Sequence, residues 1–108
     1  MQSKYYPIEV FFSCLKGKYK IPLLIYLKHA PKRYHQIRKK FPQSSERILI
    51  KQLKELVDEQ ILVKKITGTK APLKVEYFLS EYGFTLCSVV QNMWNWGETH
   101  YKTRLSRR

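Results

Sequence analysis

Apolar positions recur at helical spacing through the first half of the chain, then switch to strand spacing, then return to helical spacing. Ile8, Phe11, Phe12 and Leu15 follow Pro7, which suits the first turn of a helix, and Gly17 can end it. A second helix is expected from about Lys18 to His29, carrying Ile21, Leu24, Ile25 and Leu27. Pro22 falls in its first turn, where a missing N–H does little harm, and Ala30-Pro31 stops it. A short third helix fits Tyr34 to Phe41, with Ile37 and Phe41 facing inward and Pro42 closing it. Ser44 or Ser45 can cap a fourth helix that reads to about Glu59, and Glu46 sits near its positive dipole end.

Ile61 to Thr67 is rich in β-branched residues and reads as a strand; residues 68–73, with Gly68 and Pro72, read as a loop. Lys74 to Ser80 alternates Val75, Tyr77 and Leu79 against Lys74, Glu76 and Phe78, a second strand. The two strands are expected to pair as a hairpin with a basic tip. Ser80 can cap a last helix, about residues 81–101, through Leu86, Val90, Met93 and Trp94. No repeat, linker or low-complexity stretch interrupts this order. The expectation is one α+β, mostly helical domain over residues 1–108. A short helix, a tight turn, a second helix and a hairpin make a winged helix-turn-helix, here with extra helices at both ends.

The fourth helix is strongly two-faced. With Leu49 as reference, Leu53, Leu56 and Gln60 fall on its side of the axis, and Arg47, Lys51, Lys54 and Asp58 fall opposite. The apolar side is expected to pack inward and the three cations to face out. A charged outer face is ordinary for an amphipathic helix, so its surroundings decide. Lysine and arginine number 21 against 8 aspartates and glutamates, a formal net charge of +13. Such an excess attracts polyanions, nucleic acid foremost. A helix of this kind after a tight turn can enter a major groove. Ser44, Ser45, Arg47, Ile50, Lys51 and Lys54 are the expected DNA-facing residues, Arg47 for a guanine edge and Ile50 for a thymine methyl. Lys70 and Lys74 of the hairpin, and Lys32 and Arg33 before the third helix, are expected on phosphates. Lys64 and Lys65 read as solvated strand positions.

The last helix carries too wide an apolar stripe for one small core: Leu86, Val89, Val90, Met93, Trp94, Trp96, Gly97 and Tyr101 fall within about half its circumference. The first helix adds Tyr5, Tyr6, Phe11 and Phe12. Left in water, these aromatics would form a large apolar patch. A two-fold interface is therefore expected, built from Tyr5, Tyr6, Phe11, Phe12, Leu86, Val90, Met93, Trp94 and Gly97. Two reading helices about 34 Å apart would then meet successive grooves of a pseudo-palindrome. Lys102, Arg104, Arg107 and Arg108 add non-specific attraction at most.

Other chemistry is sparse. Cys14 and Cys87 belong to no metal-ligand spacing and read as buried thiols. His29, His35 and His100 are scattered, without a nucleophile partner or a glycine-rich phosphate loop. No enzyme, cofactor or metal is expected. No apolar run approaches the ~20 residues of a membrane span and no secretory signal is visible, so a soluble cytoplasmic protein is expected.

Several segments together resemble the HxlR-type regulators of bacteria and archaea. They are Pro7-Ile8-Glu9, Gly17-Lys18-Tyr19, Pro31-Lys32-Arg33-Tyr34, Leu49 with Gln52-Leu53-Lys54-Glu55-Leu56, and residues 72–80 with Gly83, through to Trp96-Gly97. The resemblance implies a winged helix fold, a homodimer held by the terminal helices, and regulation of nearby genes. Four positions depart from the family. Tyr19 and Tyr34 stand where Trp and Phe are usual, Gln60 where Gly is usual, and Ile50 where Thr is common. Redox-sensing members carry a Cys before the Pro of Pro-Ile-Glu; here it is Tyr6, so sensing through that thiol cannot occur. Two rival readings stand beside a DNA regulator. One is a basic RNA-binding or protein-docking winged helix, although RNA readers display aromatics on a sheet rather than in helices. The other is a regulator gated by a small effector of unknown identity between the first and last helices.

Overall fold

A computed structural model of the chain describes residues 6–107. The order is α1 (Pro7–Cys14), α2 (Lys20–Leu27), β1 (Lys32–Arg33), α3 (Tyr34–Lys40), α4 (Glu46–Asp58), β2 (Leu62–Thr67), β3 (Lys74–Leu79) and α5 (Glu81–Ser106). Every expected helix and strand is present. The two-residue β1 is new, because so short an extended piece carries no periodicity. It pairs antiparallel with β3, Lys32 opposite Tyr77 and Arg33 opposite Glu76. The sheet order is β1-β3-β2, with β2 and β3 in register from Leu62–Leu79 to Thr67–Lys74.

The core lies where the inward faces of α2, α3 and α4 meet the sheet and the start of α5. Leu23, Leu24, Ile37, Leu49, Leu53 and Leu56 are completely buried there. Fully burying side chains of this kind stabilises by about 1.5–3 kcal/mol each before entropy is counted. Helix α1 has no fully buried residue: Phe11 and Cys14 pack against the core from its edge, and Leu15, just past the helix end, is buried in it.

Two helix boundaries follow from specific backbone bonds. Gln60 does not lie on the inner face of α4 as its spacing suggested. It sits past the helix end, exposed, at φ 63°. Its N–H donates to Val57 O, and Ile61 N–H donates to Leu56 O, a Schellman-type ending. A left-handed residue with a side chain costs about 1 kcal/mol relative to glycine. At the start of α5, Ser80 Oγ accepts from Gly83 N–H at 2.8 Å and donates to Gln60 O at 2.6 Å. A Cβ on Gly83 would lie 2.1 Å from Ile61 O, so the first turn of α5 presses on the backbone entering β2. That packing requires glycine.

Helix α5 runs five residues beyond the expected 101. No breaker intervenes, and Arg104 in the last turn suits the negative dipole end. Lys102 and Arg104 are thus helical, while Arg108 and the expected interface residue Tyr5 lie outside the described residues. The α5 rod of 26 residues is about 39 Å long. Its buried residues are Gly83, Cys87 and Val90, and nothing after Val90 is buried. The radius of gyration, 16.2 Å, exceeds the ~13 Å of a compact chain this long.

Candidate nucleic-acid interface

Helix α4 is fixed from behind. Leu49, Leu53 and Leu56 anchor one face. Gln52 Oε1 accepts Tyr19 N–H at 2.8 Å, using a donor that the start of α2 leaves free. Lys20, only 4% exposed, places Nζ 3.4 Å from Glu55. Gly17, at φ 149°, lies against Gln52: a Cβ there would come within 2.9 Å of Gln52 Cδ. The turn before α4 is tied by Arg38, whose guanidinium donates to the carbonyls of Phe41 and Ser44. None of these ties was read from the sequence. Gln52 was the available signal, a polar residue beside the apolar stripe.

The opposite face carries Arg47, Lys51 and Lys54, all exposed, in one stripe. Ile48 and Ile50 flank it, 45% and 47% exposed. Aliphatic side chains on the outer face of a tightly held helix suit contact with thymine methyls. Ile48 was not singled out from the sequence. The three cations are not equivalent. Lys54 Nζ lies 2.8 Å from Asp58 Oδ2, and that hydrogen bond raises its pKa further. Arg47 and Lys51 have no carboxylate partner among the described residues.

Ser44 has to leave the expected DNA-facing set. It is 3% exposed, and its hydroxyl donates to Ser45 O. The tight turn folds it under α4, where it serves the backbone. Ser45 is the N-cap: its Oγ accepts Ile48 N–H at 3.2 Å while the residue stays exposed. In the hairpin, Lys70 is exposed near the tip. Lys74 is exposed as well, with Nζ 3.7 Å from Glu76 Oε2. Lys64 and Lys65 are exposed on β2, and Lys65 stands opposite Glu76. Lys32 and Arg33 are strand neighbours and point to opposite sides. Lys32 Nζ lies over the Tyr26 ring, 5.1 Å from its centroid, whereas Arg33 is exposed.

The apolar surface of the terminal helices divides in the same way. Val90 is 1% exposed and belongs to the protomer's own core; it is not an interface residue. Leu86 and Phe11 are half-buried and pack against that core. Helix α5 packs on α2 and β3, so part of its stripe is covered within the protomer. Tyr6, Phe12, Met93 and Trp94 remain exposed, joined by Ile8, Val10, Val89, Trp96, Tyr101 and Leu105. A Cβ added to Gly97 would meet nothing within 4 Å. Cys14 and Cys87 are free thiols. Burial pushes the Cys87 pKa up, and its Sγ lies 3.8 Å from Leu24 O.

The HxlR-like helix-turn-helix family matches this chain over residues 14–105. The chain belongs to that family. The HTH-type transcriptional regulator YdeP of Bacillus subtilis (strain 168) is 37% identical over 101 residues, spanning 94% of this chain and 77% of YdeP. YtcD of the same organism is 33% identical, over 93% and 80% of the two chains. Among solved structures, the redox regulator HypR in its reduced form superimposes with TM-score 0.87 at 33% identity, covering 94% of this chain and 99% of HypR. Reduced YodB from B. subtilis gives 0.71 at 32% identity, covering 91% and 93%. Like other HxlR-like proteins, the chain is a DNA-binding transcriptional regulator with a winged helix fold. No helix among the described residues is long and apolar enough to cross a membrane.

Proposed function

We propose that this regulator binds duplex DNA as a homodimer, without chemistry of its own, in the cytoplasm. Helix α4 lies in the major groove, with Arg47 towards base edges, Lys51 towards a phosphate beside them, and Ile48 and Ile50 towards thymine methyls. Lys54, held by Asp58, contributes less. Ser45 lies at the backbone next to the N-terminus of α4. Lys70, Lys74 and Arg33 take flanking phosphates. The exposed faces of α1 and α5, with Tyr6, Phe12, Met93, Trp94 and Gly97, meet their two-fold copies.

The observation that carries this reading is the pair of unneutralised cations, Arg47 and Lys51, on the outer face of a helix fully anchored behind. The sheet supports DNA over RNA: Tyr77 is buried and Phe78 half-buried, so it offers little aromatic surface for stacking. Gel shifts on operator duplex, unrelated duplex and RNA test the reading. Arg47→Ala is expected to lower operator affinity by about 1–3 kcal/mol and relax preference at one position per half-site. Lys51→Ala is expected to flatten the salt dependence by about one counterion. Tighter binding to RNA than to any duplex would refute the proposal.

A further inference from the structure

A cleft of about 340 Å³ opens between α2, α3 and α5, lined by Ile25, Tyr26, His29, Lys40, Phe41 and Trp94, with Pro22 at its edge. It is not the space between the first and last helices. Its walls are aromatic: Tyr26 and Phe41 meet edge to face at 6.0 Å and 88°, and Trp94 lines the cleft from α5. One cation, Lys40, lines it, with Nζ 5.7 Å from the Tyr26 centroid; Lys32, outside the lining, places Nζ 5.1 Å from the same ring. Beyond Tyr26 and Lys40 the surface continues as a polar groove with His35, Gln36 and Lys39. No carboxylate lines either part, and neither Lys32 nor Lys40 pairs with one among the described residues.

We propose that this cleft binds a small aromatic carboxylate, its ring against Trp94, Tyr26 and Phe41 and its anionic group at Lys40. The size falls within the range of ligand pockets, which are mostly apolar with a few converging polar groups. Ring-on-ring contact suits these walls. A carboxylate supplies the charge that the lysines lack, whereas a cationic ligand would be repelled. The cleft joins α2 and α3, which carry the reading helix, to α5, which carries the exposed apolar face. All lining residues come from one protomer, but Trp94 also belongs to the proposed two-fold face, so the inference rests on that interface leaving the cleft side of Trp94 open; loss of benzoate binding with operator binding intact separates the two.

Benzoate is the probe. In ¹⁵N-labelled full-length protein two indole N–H signals arise from Trp94 and Trp96, and Trp96→Phe assigns them. Benzoate is expected to shift the Trp94 signal saturably, with Kd on the order of a millimolar for so small a ligand. Lys40→Gln should weaken this about fivefold, the loss expected for one partly exposed charge pair, and Lys40→Arg should retain it. Benzamide, with the ring and no charge, should bind more weakly than benzoate. Inorganic phosphate, with charge and no ring, should leave Trp94 unmoved. The proposal is overturned if benzoate gives no saturable Trp94 shift, if Lys40→Gln binds as tightly as the parent, or if benzamide or phosphate matches benzoate.

Discussion

At the level of single residues, burial and pairing separate groups that look alike in the sequence. Arg47, Lys51 and Lys54 share one helical stripe, yet among the described residues only Lys54 has a carboxylate partner. Ser44 and Ser45 are adjacent hydroxyls, and one is buried in the turn while the other caps α4. The two thiols differ too. Cys87 is buried with its pKa held up by burial, so its reactive thiolate forms only above the ordinary range for cysteine. Cys14 is half-buried. In the native protein at neutral pH, a thiol-reactive dye is expected to modify Cys14 first and Cys87 slowly, with the Cys87 rate still rising at alkaline pH. Faster labelling of Cys87, followed by peptide mass mapping, would show that it is more open than its packing implies. Gly83 gives a sharper case. Gly83→Ala forces a Cβ against Ile61 O and is expected to cost about 1–3 kcal/mol, read as a lower midpoint in chemical denaturation.

Elements were more legible than their edges. The apolar spacing of Leu49, Leu53 and Leu56 and the caps Ser45 and Ser80 were enough to place α4 and α5, because each is a local signal. What the sequence did not reveal depends on contacts far along the chain. Strand β1 exists only through its pairing with β3. The Gln52–Tyr19 bond joins residues 33 apart. Val90 lies on the apolar stripe of α5, and only the position of α2 decides that it faces inward. Gly97 sits in the middle of α5 with open space beside it. In an isolated helix, Gly97→Ala would stabilise by up to about 1 kcal/mol. In a dimer that brings another backbone close to Gly97, a bulky side chain there obstructs association. The expected result is that Gly97→Leu lowers the dimer fraction in sedimentation while circular dichroism keeps its helix content. An unchanged dimer would move the interface away from Gly97.

For the whole molecule, the shape is itself an argument for association. A 26-residue rod with nothing buried after Val90 is poorly supported by its own protomer. Most helical stability in proteins comes from packing one face against a neighbour, which this part of the rod lacks within the protomer. The exposed indoles, Tyr101 and Leu105 lie along the rod, and covering them with a second copy removes apolar surface from water. The net charge of +13 then doubles on one assembly, which strengthens the attraction to DNA and its sensitivity to salt. Such a dimer presents two copies of α4 related by a two-fold axis, and that symmetry carries over to the DNA it prefers.

The most direct test is methylation protection of guanine N7 on an operator duplex, comparing the parent protein with Arg47→Ala. N7 lies in the major groove, where α4 is proposed to bind. Two protected clusters are predicted, related by a dyad and separated by about one helical turn, roughly 10 base pairs, or a multiple of it. Arg47→Ala should unmask one guanine in each cluster. A single unpaired cluster, or a protection pattern identical in the variant, would contradict the account.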